Sequence, residues 1–173
     1  MIREKIQIDE ITVALSAAAD ALEDMTPLFE DIGMLMEART KANFLKGQAP
    51  DGSAWAPKSM ATIEKYRRTE GSESVPMNPL IGTSSRLMDN INHQARPDGV
   101  DWGSDAIYAA VMHFGAKQGE FGARIGKDKN GRDFFMSIPW GDIPARPFLG
   151  IGPEDENAIL QTIENYLREA VGQ

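Results

Sequence analysis

"GPEDENAILQTIENYLREAVG", residues 152–172, is the stretch from which the fold is read. Pro153 stands where a helix tolerates proline, at its first position, and Glu154, Asp155 and Glu156 follow at the positive end of the helix dipole. Ile159, Ile163, Tyr166 and Ala170 recur at intervals of four and three, with Leu160, Leu167 and Val171 beside them. That spacing predicts a long C-terminal helix with one wide apolar face, which needs a partner to cover it.

Partners come from both ends of the chain. Asp9 caps and Glu10 begins a helix whose stripe is Ile11, Leu15, Ala18, Leu22 and Met25. Ile2, Ile6 and Ile8 share one parity before it and predict a short half-buried strand. Thr26 and Pro27 open a second helix, with Leu28, Ile32, Leu35 and Met36 on its buried side, Arg39, Lys41 and Lys46 towards its negative end, and Gly47 as its stop. "PDGSAWAP", 50–57, starts with β-turn chemistry, and Ser59 caps a short helix over "SMATIEKYRRTE".

From residue 80 the period shortens. Pro97, Asp98 and Gly99 predict a hairpin between about 88–96 and 99–103. "DAIYAAVMHFG", 105–115, reads as a short helix capped by Asp105 and stopped by Gly115; "RDFFMSIPW" reads as a strand. Helices flanking a small, mostly antiparallel sheet, closed by a long C-terminal helix, make the class α+β in one domain over 1–173. Two segments, 67–79 and 116–133, are rich in Gly, Lys, Ser and acids and bury too little apolar surface to offset ordering; both are expected to be mobile.

Composition narrows function. The 173 residues carry a net charge of −8, so a polyanion is repelled on average and sequence-specific nucleic acid binding is not expected. With no cysteine, thiol catalysis and Cys-based metal sites are excluded. His93 and His113 form no helical metal pair, and "GKDKNGRD", 126–133, lacks the ligand spacing of a calcium loop. No P-loop, dinucleotide fingerprint or nucleophile elbow occurs. Cofactors and metals are not expected, and no apolar run is long enough to span a membrane. A hydrolase built on His113 and Asp105 is a weaker reading than a structural histidine at a helix end, where the dipole favours its charged form.

"DIPARPFLGIG", 142–152, is the most unusual stretch: Pro144 and Pro147 stiffen the backbone around Arg146, and Phe148 follows. Two readings stand. Arg146 caps carbonyls inside its own chain, or, as the resemblance described next implies, it forks onto a carboxylate or carbonyls of a neighbouring subunit, with Phe148 supplying apolar area.

Taken in order, "PDGSAWAP", "MATIEKYR", "LIGTSSRLMDNI", "WGSDAIYAAVMHFGA" and "IPARPFLGIGPED" resemble the phage virion morphogenesis, or tail-completion, family of Mu-like and P2-like contractile-tailed phages and prophages. The resemblance covers about residues 20–170. It implies a non-enzymatic protein that completes the tail or forms part of the head–tail joint, made in the bacterial host cytoplasm and residing at the virion neck or tail. A non-virion assembly factor is the alternative. Partners implied are tail and neck or connector proteins and further copies of the chain, with a hexameric ring expected. Interface candidates on this reading are Trp55, His113, Phe114, Arg146, Pro147 and Phe148.

Overall fold

The computed structural model describes residues 9–70, 75–82, 84–127 and 129–172. The order is α1 (Asp9–Glu23), α2 (Thr26–Lys46), α3 (Met60–Glu70), α4 (Arg86–Asp89), β1 (Ile91–Arg96), β2 (Gly99–Ser104), α5 (Ala109–Phe114), β3 (Ala123–Lys127), β4 (Asp133–Ser137) and α6 (Pro153–Ala170). The α+β class holds, but the strands make two separate two-stranded ladders, β1–β2 and β3–β4, rather than one sheet. The strand expected over residues 2–8 lies outside the described residues, as do residues 71–74 of the loop expected at 67–79; residues 67–70 of that loop belong instead to α3.

The chain packs as two compact units. The first combines α1, α2 as far as Ala38, residues Asn92–Trp102 and α6. Its core is Leu28, Ile32 and Met36 of α2, against which Val100, Trp102, Ile159, Ile163 and Tyr166 pack. These are the positions the helical spacing of α2 and α6 selects. The Tyr166 hydroxyl donates to the Ala21 carbonyl at 2.9 Å, fixing α6 on α1. The α1 stripe is not buried as expected: Ile11, Leu15 and Leu22 are exposed, and only Ala18 and Met25 are half-buried. Leu160 and Leu167 of α6 are exposed too.

In β1, burial alternates, with His93 and Ala95 turned inwards. His93 lies between two carboxylates of α2: Nδ1 is 2.9 Å from Glu37 and Nε2 3.2 Å from Glu30. The Glu37 bond raises its pKa most, burial opposes, and the Glu30 bond and the charges of both acids add to the rise. Trp102 encloses an indole N–H that finds no acceptor among the described residues.

The second unit spans Arg39–Ile91 and Gly103–Gly152. Phe44, Trp55, Leu80, Leu87, Ile91 and Phe148 form its core, and Phe44 meets the Trp55 ring edge-on at a 5.5 Å centroid distance. Three expectations are corrected here. Residues 88 and 89, expected to begin the hairpin's first strand, belong to the helical turn 86–89: Asp89 and Asn90 N–H groups return to the Ser85 and Arg86 carbonyls, and the buried Leu87 anchors the turn. The hairpin therefore begins at Ile91. Helix α5 begins at Ala109, not at Asp105, because the Ser104 hydroxyl takes the Ala106 N–H and holds the preceding residues in a turn. Residues 116–133 are exposed for most of their length, as expected, but they contain β3, paired in register with β4.

Candidate functional site

The "PDGSAWAP" loop is a built turn. One Asp51 carboxylate oxygen accepts from both the Ser53 N–H (2.9 Å) and the Ser53 hydroxyl (2.6 Å), and a bridge pairs Gln48 with Ala54. The turn presents Trp55 inwards, where its indole N–H donates to the Pro147 carbonyl at 2.8 Å. One residue back, the Arg146 side chain reaches the same loop. Its Nε donates to the Ala56 carbonyl (2.7 Å) and its Nη2 to that of Pro57 (2.9 Å). The side chain is 6 % exposed, and burial pulls its pKa below the ordinary guanidinium value. An arginine remains charged there, so carbonyl oxygens provide its compensation.

The stretch 142–148 is fastened along its length. Ala116 and Ile143 exchange both backbone hydrogen bonds, and Arg146 N–H donates to the Met112 carbonyl at 3.0 Å. The close approach depends on Gly115. Its φ is +77°, and a Cβ there would lie 2.6 Å from the Ile143 carbonyl oxygen and 2.8 Å from the Ala145 nitrogen. Phe148 N–H donates to His113 Nδ1 at 3.3 Å, and the His113 ring stands edge-on to Phe148 at 5.1 Å. An Nδ1 that accepts must be unprotonated, and burial lowers the His113 pKa. The charged form favoured by the helix-end argument is thus not the form this site holds: desolvation outweighs the dipole of a six-residue helix.

Of the six interface candidates, Trp55, Arg146 and Phe148 are buried within their own chain, Phe148 to 1 % exposure. His113 is half-buried among them, Pro147 is exposed, and Phe114 is 76 % exposed. Of the two readings of Arg146, the geometry gives the first: it caps carbonyls of its own chain.

Sequence reasoning overlooked Lys58, two residues after Ala56. Its ammonium donates to the carbonyls of Pro76 and Ile81 and stands 5.4 Å from the centre of the Tyr66 ring. Also overlooked was the amount of apolar surface on the β3–β4 hairpin. The register sets Ile125 opposite Phe135 on one face and Gly126 opposite Phe134 on the other. Phe135 is 77 % exposed, and Phe121, Ile125, Phe134 and Trp140 are exposed with it. The sequence signal was present in "RDFFMSIPW", where apolar residues follow one another without alternating. Such a run marks a strand meant to be covered on both faces.

Among the described residues, no cluster of His, Asp or Glu is placed to hold a metal ion, and no helix is long and apolar enough to cross a membrane.

Comparison with known proteins places these features in a family. The sequence pattern of the phage virion morphogenesis family matches residues 6–168. The chain is 31 % identical over 159 residues to the Mu-like prophage FluMu G protein 2 of Haemophilus influenzae, an alignment covering 92 % of this chain and 90 % of that protein. No solved structure matches it.

Proposed function

As the chain belongs to the phage virion morphogenesis family and so serves the building of a phage particle, we propose that it completes the tail or forms part of the head–tail joint. It does so as a subunit of a homo-oligomeric ring, six-fold in keeping with phage tails, in contact with tail and neck or connector proteins. It is made in the host cytoplasm and ends at the virion neck or tail. Its role is structural rather than catalytic. In support, the ring of His113, the one histidine weighed as a catalyst, packs on Phe114 and Phe148 and its Nδ1 is taken by a backbone N–H.

The observation that carries the assembly reading is the β3–β4 hairpin. A two-stranded hairpin is marginal in water by itself. This one leaves Ile125, Phe134 and Phe135 exposed on two faces, a pattern suited to insertion between neighbours. Phe135→Asp should leave the isolated chain folded, since that side chain touches little in its own subunit, while a phage lacking the gene and supplied with the variant should accumulate unjoined heads and tails. Full infectivity with Phe135→Asp would overturn the hairpin's part. Mass spectrometry of purified particles separates the virion component from an assembly factor that departs before completion.

A further inference from the structure

Beside the Arg146 fastening, within the second unit, lies a cavity of about 650 Å³ whose wall includes Lys58, Tyr66, Met112, Trp140 and Arg146. That is the size of a ligand-binding cleft. Both cations point their donors at carbonyls, Lys58 at Pro76 and Ile81 and Arg146 at Ala56 and Pro57, and among the described residues neither meets a carboxylate. The acid on the wall, Asp142, is already engaged by the Gln118 N–H (2.8 Å) and by Lys117 (3.3 Å).

Two like charges thus share a partly desolvated wall with neutral partners only. Burial, and then the charge of Arg146, both hold the Lys58 pKa below its ordinary value. Carbonyl dipoles offset such a pair in part; a net negative charge would offset it fully. Donors remain for one. An ammonium has three N–H groups and Lys58 uses two on carbonyls. Nη1 of Arg146 has no partner among the described residues and is not sealed from solvent. Apart from the hydroxyls of Ser59 and Thr62, the rest of the wall is mostly apolar or aromatic, with Trp140 79 % exposed at its edge.

We infer that this cavity receives a carboxylate carried on an extended segment of a different protein chain, an Asp or Glu flanked by an apolar side chain that packs against Trp140 and Met112. Nucleic acid is the poorer occupant, because a chain of net charge −8 repels a polyanion at a distance. The site goes beyond the assembly reading: it concerns what the cleft binds, and it is measurable on the purified protein without a phage.

The probe is the blocked dipeptide N-acetyl-Glu-Phe-amide, with N-acetyl-Gln-Phe-amide as its neutral twin, titrated into the full chain. The readout is the indole NMR signal of Trp140, assigned by its loss in Trp140→Phe. The Glu peptide should shift that signal and bind about tenfold or more tightly than the Gln peptide, the worth of one charge-assisted pairing. Lys58→Met, which keeps the stem and removes the charge, should abolish the preference. Should that variant fail to fold, the Glu-to-Gln comparison on the unmodified chain decides alone. Equal binding of the two peptides overturns the proposal, as does saturation of the site by inorganic phosphate with no response to the Glu peptide. Sedimentation of the chain should not change when the Glu peptide is added. Dissociation of a homo-oligomer would make a second copy the occupant and overturn the assignment to a different chain.

Discussion

Gly33 of α2 and His93 of β1 share a space that admits no further carbon. A Cβ at residue 33 would lie 2.2 Å from His93 Cδ2 and 2.7 Å from its Cγ. The ring cannot swing aside freely, because Glu37 and Glu30 hold its two nitrogens. Two opposed effects meet in Gly33→Ala. Alanine favours a helix interior by about 1 kcal/mol over glycine, whereas overpacking a fixed neighbour costs about 1–3 kcal/mol. The steric term should win, lowering the melting temperature by about 2–6 °C. In a His93→Ala background the same Gly33→Ala change should cost much less, since the clashing ring is gone. A Gly33→Ala protein that melts at or above the unmodified chain would show that the ring is not fixed.

The same histidine makes stability depend on pH. Its folded pKa is raised, above all by the Glu37 hydrogen bond. The stabilisation is therefore complete below the unfolded value of about 6.5 and is lost as pH rises through the folded value. The gap in melting temperature between the unmodified chain and His93→Gln should be widest near about pH 6 and narrow above it. His113 runs the other way. Burial lowers its folded pKa, so its contribution is present above about 6.5 and is lost as pH falls. The gap to His113→Gln should accordingly widen as pH rises. Gaps that stay constant across this range would contradict both assignments.

Gly115 tests the backbone fastening. Its φ of +77° and the 2.6 Å approach to the Ile143 carbonyl both oppose a side chain. Gly115→Ala should separate the Ala116–Ile143 bridge, and amide exchange at residues 116 and 143 should accelerate well before that at Phe44 in the core. Unchanged protection at both bridge amides would mean that the bridge tolerates a side chain at residue 115 and that the close approach does not depend on glycine.

How much of this was legible in the sequence depended on range. The ends of α2 and α6 were readable because Thr26, Pro27, Gly47 and Pro153 act on the backbone beside them. The β1–β2 turn was readable for the same reason. Strand β3 was missed because Lys, Arg and Gly126 hide its period; Phe134 makes up for that glycine, its ring lying where a Cβ at 126 would be, 2.8 Å away. The exposed stripe of α1 looked like core because spacing reports which residues share a face, not whether anything covers it. The function of Arg146 was not decidable locally. Its acceptors, Ala56 and Pro57, stand 90 and 89 residues earlier in the chain. The Pro-Ala-Arg-Pro spelling announced a stiff presentation and gave no sign of what would be presented to what.

Arg146 is therefore the residue whose substitution discriminates most. Arg146→Ala removes two charge-assisted bonds and leaves the Ala56 and Pro57 carbonyls without their donors. Each stranded group costs about 1–3 kcal/mol where water does not reach it. The isolated protein should melt lower, by on the order of 5 °C or more. Arg146→Lys should fall between the two. An ammonium keeps the charge but lacks the planar fork that addresses both carbonyls at once, and it would set a second compact ammonium near Lys58. The assembly defect should follow the folding defect: particle yield with Arg146→Ala should recover when phage are grown at lower temperature, where more of the chain is folded. Lowered melting with temperature-dependent recovery is the signature of a residue that holds its own subunit together. Unchanged melting with lost infectivity at every temperature would move the work of Arg146 to a neighbouring chain, and its carbonyl contacts at 56 and 57 would then be incidental to its role.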